Sequence, residues 1–420
     1  MIFRKVLYFM VLIATCLACS GPRDMSTQNL SDLYRGQEQF YHPEFSFFHL
    51  NDSVTRFYIH IKPEEFLFVR QDDNSYKAEM KVMLLKTYSY EANFPLDTFY
   101  SSFSFDMTEK GKFKTVSFDF IHHTKGSFLM RAFISDVNKN FQEDFFIPMN
   151  NEGFQGRQFF LVHDEYENIM FKNFIAEDEP IKISYRDTSV KRIWCRYYHR
   201  DFPLASPPFS FDTREGFNYA SDSVFEVDLY GEKGIVLPAI GFYHFQLDTN
   251  IRDGLTIYRF EGTFPSVTTP AQMLESVRYL TSKREFEEMK SSPQLRNAID
   301  AFWISKGGNP EKSRMLIRKY YTRVQDANAW FTSFIEGWRT DRGMIYVIFG
   351  APNTVYRSSS TETWIYGTPN STLALNFMFT RVNNPFSDND LVLSRSPIYE
   401  SNWYRAVETW RQGRAYNSIY

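Results

Sequence analysis

Between residues 45 and 180 apolar and polar residues alternate with a period of two, and this alternation sharply narrows the folds open to the chain. Phe57, Ile59 and Ile61 alternate with Arg56, Tyr58 and His60, and Ala78, Met80, Val82 and Leu84 with Lys77, Glu79 and Lys81. Val116, Phe118 and Phe120 repeat the pattern against Ser117 and Asp119. Successive strand side chains point to opposite faces, so each run offers one face to a core and one to water. This predicts antiparallel sheets packed on a single side. Polar clusters such as Gln71-Asp72-Asp73-Asn74-Ser75 separate the runs at spacings that suit a β-sandwich over residues 41–180. An aromatic content of 18% points the same way, because aromatic side chains favour pleated, half-buried surfaces.

A second β-rich module is expected over residues 181–267. Its clearest strand sets Phe225, Val227 and Leu229 against Glu226 and Asp228, and Pro203, Pro207 and Pro208 mark an irregular edge. Cys195 alternates with Ile193 and Tyr197, which assigns it to a strand core in preference to thiolate chemistry. Beyond residue 267 the period becomes helical. Thr269 and Pro270 can cap and open a helix bearing Met273, Leu274, Val277 and Leu280, and Leu295, Ile299 and Phe302 suggest another. Asn309-Pro310-Glu311 starts a long helix whose stripe is Leu316, Tyr320, Val324, Ala327, Phe331 and Phe334, with Gly337 placed as its left-handed cap. Residues 344–349 (MIYVIF) read as a buried strand, 350–353 as a turn, and 363–366 and 373–379 as further strands. A last amphipathic helix carries Tyr399, Trp403, Ala406, Val407 and Trp410. The expected fold class is mixed: an all-β, sandwich-like amino-terminal region followed by an α+β domain over residues 268–420.

At the start of the chain Arg4 and Lys5 precede an uncharged apolar run, residues 6–17. The run falls short of the roughly twenty helical residues that cross a bilayer and fits a secretory signal instead. Ala18-Cys19-Ser20 follows with the layout of a bacterial lipobox, although Cys16 stands where leucine is usual. The expectation is a lipoprotein signal peptide over residues 1–18, lipidation at Cys19 and a lipid-attached tether over 19–40. An ordinary signal peptide that contains a cysteine is the alternative. With Cys16 and Cys19 set aside, Cys195 is the last of three cysteines and has no partner for an intramolecular disulfide. A near balance of 47 Lys+Arg against 50 Asp+Glu gives no support for nucleic-acid binding by phosphate neutralisation.

The string Gly337-Trp338-Arg339-Thr340-Asp341-Arg342-Gly343, continuing through residues 344–352, resembles the signature of the GWxTD-domain family. Phe302-Trp303, residues 320–324, Thr363-Trp364-Ile365-Tyr366 and the closing helix fit the same layout, so the resemblance covers about residues 268–420. Together with the lipobox and the aromatic richness, it looks like a cell-envelope lipoprotein of a Bacteroidota bacterium with an amino-terminal β-sandwich region. The resemblance implies no established reaction. The candidate functional motif is Gly337, Trp338, Arg339, Thr340, Asp341 and Arg342. As a folding corner, Gly337 stops the helix, Trp338 plugs a helix–sheet seam and Thr340 and Asp341 accept backbone N–H groups. Gly343 then permits close approach as the strand begins. As a functional site, Asp341 is held beside Arg339 or Arg342 to bind a ligand or to act in acid–base chemistry.

All eight histidines precede residue 245, so the motif region contains neither His nor Cys for triad or zinc chemistry. On a strand, adjacent His122 and His123 point to opposite faces. Asp136-Val137-Asn138-Lys139-Asn140 begins like a calcium loop, but Phe141 and Ile147 replace the turn glycine and terminal glutamate, which leaves a hairpin turn. Neither a metal nor a cofactor is expected. These observations lead to an outer-membrane-anchored periplasmic lipoprotein, a non-catalytic binding or scaffold component of an envelope assembly. Its expected partners are an envelope protein complex or polymer, and the membrane through the lipid. The alternative is a carboxylate-dependent hydrolase acting on glycan or peptidoglycan.

Overall fold

The computed structural model describes Ser26 and residues 28–35, 39–92, 94–175, 179–211, 216–231 and 234–416. The expected signal peptide and Cys19 lie outside the described residues.

Two antiparallel sheets form the first unit. One orders β1 (Glu44–His49), β2 (Val54–Ile61) and β6 (Lys114–Ile121). In the other, β4 (Tyr76–Thr87) pairs with β3 (Val69–Arg70), β5 (Asp97–Asp106) and β7 (Ser127–Asp136), and β8 (Phe141–Asn150) lies beyond β7. The alternating residues close the space between them. Phe57, Ile59, Ile61, Ala78, Met80, Val82 and Leu84 are all buried in one cluster with Phe105, Phe120, Met130, Ala132 and Ile134. Register follows from that burial: Phe57 stands opposite Phe47 and Phe118, and Leu84 opposite Phe99 and Ala132. A one-residue slip would turn each row out to water. The calcium-like string is the β7–β8 turn, where Asp136 Oδ1 accepts the N–H groups of Asn138 (2.9 Å) and Lys139 (3.1 Å).

The first apolar cluster ends at Met149 and the next begins at Phe159. Strand β9 (Phe160–His163) pairs with β11 (Lys182–Tyr185), so strands on both sides of residue 180 share one small sheet. They pack on a five-stranded sheet ordered β10 (Phe174–Ile175), β15 (Leu255–Arg259), β14 (Gly241–Gln246), β12 (Arg192–Tyr198) and β13 (Ser223–Asp228). The β10–β15 pair is parallel. Cys195 lies in this core beside Ile193, Phe245 and Ile257, and burial pushes its thiol well above the usual range.

In the carboxy-terminal region α1 (Pro270–Ser276), α2 (Lys283–Lys290), α3 (Leu295–Gly307) and α4 (Pro310–Phe331) precede α5 (Asp341–Phe349). A four-stranded antiparallel sheet follows in sequence order, β16 (Thr354–Arg357), β17 (Thr361–Tyr366), β18 (Leu375–Arg381) and β19 (Leu391–Leu393), and α6 (Glu400–Arg411) closes the region. Thr269 caps α1 in a reciprocal box with Gln272, and the Asn309 side chain caps α4 by accepting the Lys312 N–H. The mixed fold class, β-rich first and α+β last, is therefore the one expected.

Two local expectations fail. Residues 344–349 are helical, part of α5, and not a strand. Thr340 caps the helix by accepting the Gly343 N–H at 3.1 Å, and Asp341 begins the first turn. Every side chain from Arg342 to Phe349 is buried, so the helix has no polar stripe to betray its period. Nor is Gly337 a left-handed cap. Helix α4 stops at Phe331, Phe334 lies beyond it, and the positive-φ glycine nearby is Gly350 (φ 85°), after α5.

The described part of the expected tether is packed against the carboxy-terminal region. Leu30 and Tyr34 join the same core cluster as Trp364 and Phe331. A further aromatic cluster joins the second β unit to this region: Tyr198, Phe242 and Tyr258 meet Phe334 and Phe386.

Candidate functional site

The motif is a tight turn between α4 and α5, and each of its residues makes a joint. Residues Gly337–Arg339 form a single 3-10 turn laid against α4. A Cβ on Gly337 would stand 1.9 Å from the Ala327 carbonyl oxygen, and one on Gly343 would stand 1.9 Å from the Gly337 oxygen. Only glycine fits either place. The Trp338 N–H donates to Asn328 Oδ1 at 3.2 Å, and its indole is buried edge-on to Tyr279. Tyr279 in turn donates its hydroxyl to the Trp338 carbonyl at 3.2 Å. Thr340 Oγ1 donates to the Gly337 oxygen at 2.7 Å while it caps α5.

Asp341 pairs with neither Arg339 nor Arg342, which corrects the expected partnership. Its Oδ2 accepts from the Leu393 N–H at 2.8 Å and from Arg395 Nη1 at 3.1 Å, and its Oδ1 accepts from Arg395 Nη2 at 2.5 Å. The fork clamps the start of α5 to β19 and the segment after it. Arg339 instead pairs with Glu336 at 2.6 Å. Burial pushes the Glu336 carboxyl upward, against the opposing pull of Arg339.

Arg342 points into the core, where it is 2% exposed. Its Nη2 donates to the Asn389 carbonyl at 2.9 Å, and its Nη1 lies 3.5 Å from Glu362 Oε2 and 3.4 Å from the Tyr34 hydroxyl. Arg357 Nε donates to Glu362 Oε2 at 2.7 Å, and Trp364 Nε1 donates to Oε1 at 2.6 Å. Burial alone would raise the Glu362 pKa, but Arg357 and Arg342 outweigh it and hold the carboxyl below its ordinary value. At the far end of α5, Arg323 donates to the Val347 and Ile348 carbonyls, both at 3.2 Å, and to Tyr416 at 2.8 Å. Burial lowers the Arg323 pKa to about 10.

The same corner grips the proline-containing loop of the second β unit. Arg339 Nη1 donates to the Phe202 carbonyl (3.2 Å) and the Arg339 carbonyl accepts the Ala205 N–H (3.2 Å). Arg395 Nη2 donates to the Ser206 carbonyl (3.1 Å), and the Ser396 N–H to the Pro208 carbonyl (3.0 Å). Arg395, Glu362 and Tyr34 were not among the residues singled out from sequence, and Arg323 stood there only within the family layout of residues 320–324. Glu362 carried a usable signal, because it shares the inward face of β17 with Trp364 and Tyr366.

What this arrangement does chemically is to fix elements in place. Both Asp341 oxygens are occupied by internal donors, and the side chain is 10% exposed. Two surface cavities, of about 390 and 230 Å³, are lined by other residues. Among the described residues no group of three or more His, Cys, Asp or Glu side chains could hold a metal ion. No helix of the described residues is long and apolar enough to cross a membrane.

The geometry defines an α+β domain whose glycine–tryptophan corner locks a short buried helix and braces a neighbouring β unit. This is a GWxTD domain: residues 241–412 match that family, and the chain carries the domain over that span. The match starts at Gly241, ahead of the expected residue 268, and so takes in β14 and β15. No curated protein matches the sequence. Among solved structures, red sea bream transglutaminase is similar at 10% identity with a TM-score of 0.17. That similarity covers 54% of this chain and 33% of the transglutaminase chain, and it carries neither fold nor activity across.

Proposed function

We propose that the chain is a periplasmic lipoprotein, anchored through Cys19 to the outer membrane, and that it is a non-catalytic scaffold component of an envelope assembly. One observation carries the non-catalytic part: the charged residues of the motif are committed to internal joints, Arg339 to the residue 202–208 loop of the second β unit, Asp341 to Arg395 and Arg342 to the buried Glu362. A carboxylate hydrolase needs an acid that can reach its substrate. Here Arg395 and the Leu393 amide occupy both oxygens of Asp341. In this reading the GWxTD domain is the brace and the β units present the binding surfaces. The anchor rests on the sequence features of residues 1–20, with Ala18-Cys19-Ser20 placed after the apolar run.

Two experiments test the reading. Membrane fractionation of wild type against Cys19→Ala is expected to move the protein from the membrane to the soluble fraction, and a wild type that is already soluble removes the anchor. Cross-linking and capture from membranes is expected to recover a defined envelope complex with wild type. Asp341→Asn should weaken capture only in proportion to its loss of folded protein. Recovery of no envelope partner from cross-linked membranes would overturn the scaffold role.

A further inference from the structure

The residues ahead of the first sandwich pack along the edge of the GWxTD domain. The Ser26 N–H donates to the Arg357 carbonyl (2.6 Å) and the Leu30 N–H to the Val355 carbonyl (2.9 Å), which adds a short strap to the free edge of β16. Asn29 reads the backbone from its side chain: Oδ1 accepts the Val355 N–H at 2.9 Å, and Nδ2 donates to the Asn353 carbonyl at 3.1 Å. Tyr34 then enters an aromatic box of Trp330, Phe331 and Trp364, with ring centroids 5.9, 5.0 and 5.2 Å away. At the floor of the box its hydroxyl donates to Glu362 Oε1 (2.6 Å) and accepts from Arg342 and Arg357. Leu30 and Tyr34 are 5% and 3% exposed.

These contacts join residues more than 300 positions apart in sequence. The groove residues from Trp330 to Trp364 fall inside the matched family segment, and the strap falls outside it. After the strap the chain leaves for the first sandwich, where Tyr41 is buried. The strap is thus held as a bound peptide would be, by side-chain pockets and two backbone bonds along a strand edge. Arg342 and Arg357 face Glu362 in a buried space, and a hydroxyl that both donates and accepts completes their bonding.

We propose that the GWxTD domain is a peptide-binding domain that recognises an Asn-Leu-x-x-x-Tyr segment, and that residues 29–34 of this same chain fill the groove as an exchangeable intramolecular ligand. The proposal does not depend on lipidation or on the scaffold role. It makes the strap a latch that fastens the amino-terminal end of the chain to its carboxy-terminal domain.

The test uses the full chain with a protease site placed at residues 36–38, cleaved after purification. A labelled peptide of residues 26–35 in excess is expected to exchange into the cleaved protein and to saturate. The Tyr34→Phe peptide should bind roughly ten- to a hundredfold more weakly, because it leaves the buried Glu362, Arg342 and Arg357 without the hydroxyl that bonds all three. Exchange that never occurs while circular dichroism reports an intact fold overturns the proposal, as does equal affinity for the Tyr34→Phe peptide. If cleavage itself unfolds the domain, the wild-type peptide must restore the circular dichroism signal, and failure to restore it also overturns the proposal.

Discussion

In strand β4 of the first sandwich, Ala78, Met80, Val82 and Leu84 are buried while Glu79 and Lys81 face water. In helix α5 of the GWxTD domain every residue from Arg342 to Phe349 is buried, and charged groups meet it from inside the protein. The two regions divide their polar atoms in opposite ways. The sandwich keeps most of them on its outer faces, so its stability is spread over many apolar contacts that tolerate exchange at equal volume. The domain spends its charges on a few internal joints: Glu362 with two arginines, Arg323 on the last carbonyls of α5, and Asp341 with Arg395. A joint of that kind is unforgiving, because removal of one member leaves the other buried and unpaired.

The largest expected effect follows from that contrast. Glu362→Ala strands Arg342 and Arg357 and should destabilise the GWxTD domain by about 3–5 kcal/mol. Denaturant unfolding followed by domain-specific probes checks this, with the transition of the first sandwich unmoved. Because Glu362 titrates below its ordinary value when folded, its contribution is present above about pH 4.3 and is lost as pH falls through the folded-state pKa. A sandwich that responds equally to Glu362→Ala would break the comparison. Next is Gly343→Ala, which drives a Cβ to 1.9 Å from a backbone oxygen and should cost about 3 kcal/mol. An alanine accepted there without loss, read by thermal unfolding, would mean that α5 can shift away from the turn.

The same contrast decides what could be read from the sequence. The sandwich was legible because period two survives wherever one face is wet, as in Phe57, Ile59 and Ile61. Helices α1 and α4 were legible from their caps, Thr269 with Pro270 and Asn309 with Pro310. Helix α5 was not, because an element buried on all sides has no polar face. Its Ile, Val and Phe residues argued for a strand more loudly than Thr340-Asp341 argued for a cap. At the motif Thr340 does accept a backbone N–H, as a corner requires, yet the partner of Asp341 could not be found. Arg395 lies 54 positions away and no local pattern connects the two. Tyr34 was hidden in a stretch whose polar composition resembled a tether, and only tertiary packing gives it a role.

One group in the sandwich cuts against the contrast and sharpens it. Thr55 Oγ1 lies 2.7 Å from both His49 Nδ1 and His122 Nε2, a polar chain buried inside the sandwich. Burial is the main cause that lowers His49 to about 4, with a hydrogen bond to the Asn150 carbonyl opposing it. His122 is lowered for the same principal reason. Both rings therefore stay neutral in the folded state at a pH where the unfolded chain already binds protons. Stability of the sandwich should be complete above pH 6.5 and decline by about 1–3 kcal/mol as pH falls toward 4. Unfolding across that range should show the slope, and His49→Gln should flatten it. A flat wild-type profile would mean that the histidine chain is not a joint of consequence.

The smallest effects come from a matched pair of arginine–carboxylate forks. On the outer face of the sandwich Arg56 holds Asp119 at 2.6 and 2.9 Å, with side chains 38% and 41% exposed. In the GWxTD corner Arg395 holds Asp341 at 2.5 and 3.1 Å, with side chains 15% and 10% exposed. The contacts are alike and the solvent is not. Asp341→Asn should cost about 1–3 kcal/mol, since it weakens a partly desolvated fork that also anchors the Leu393 amide. Asp119→Asn should cost less than about 1 kcal/mol, because water and salt screen an exposed pair and replace what is lost. Double-mutant cycles with Arg395→Met and Arg56→Met isolate each coupling, and high salt should shrink only the second. Equal couplings would show that fork geometry, and not the placing of charge inside or outside the fold, sets the strength of these joints.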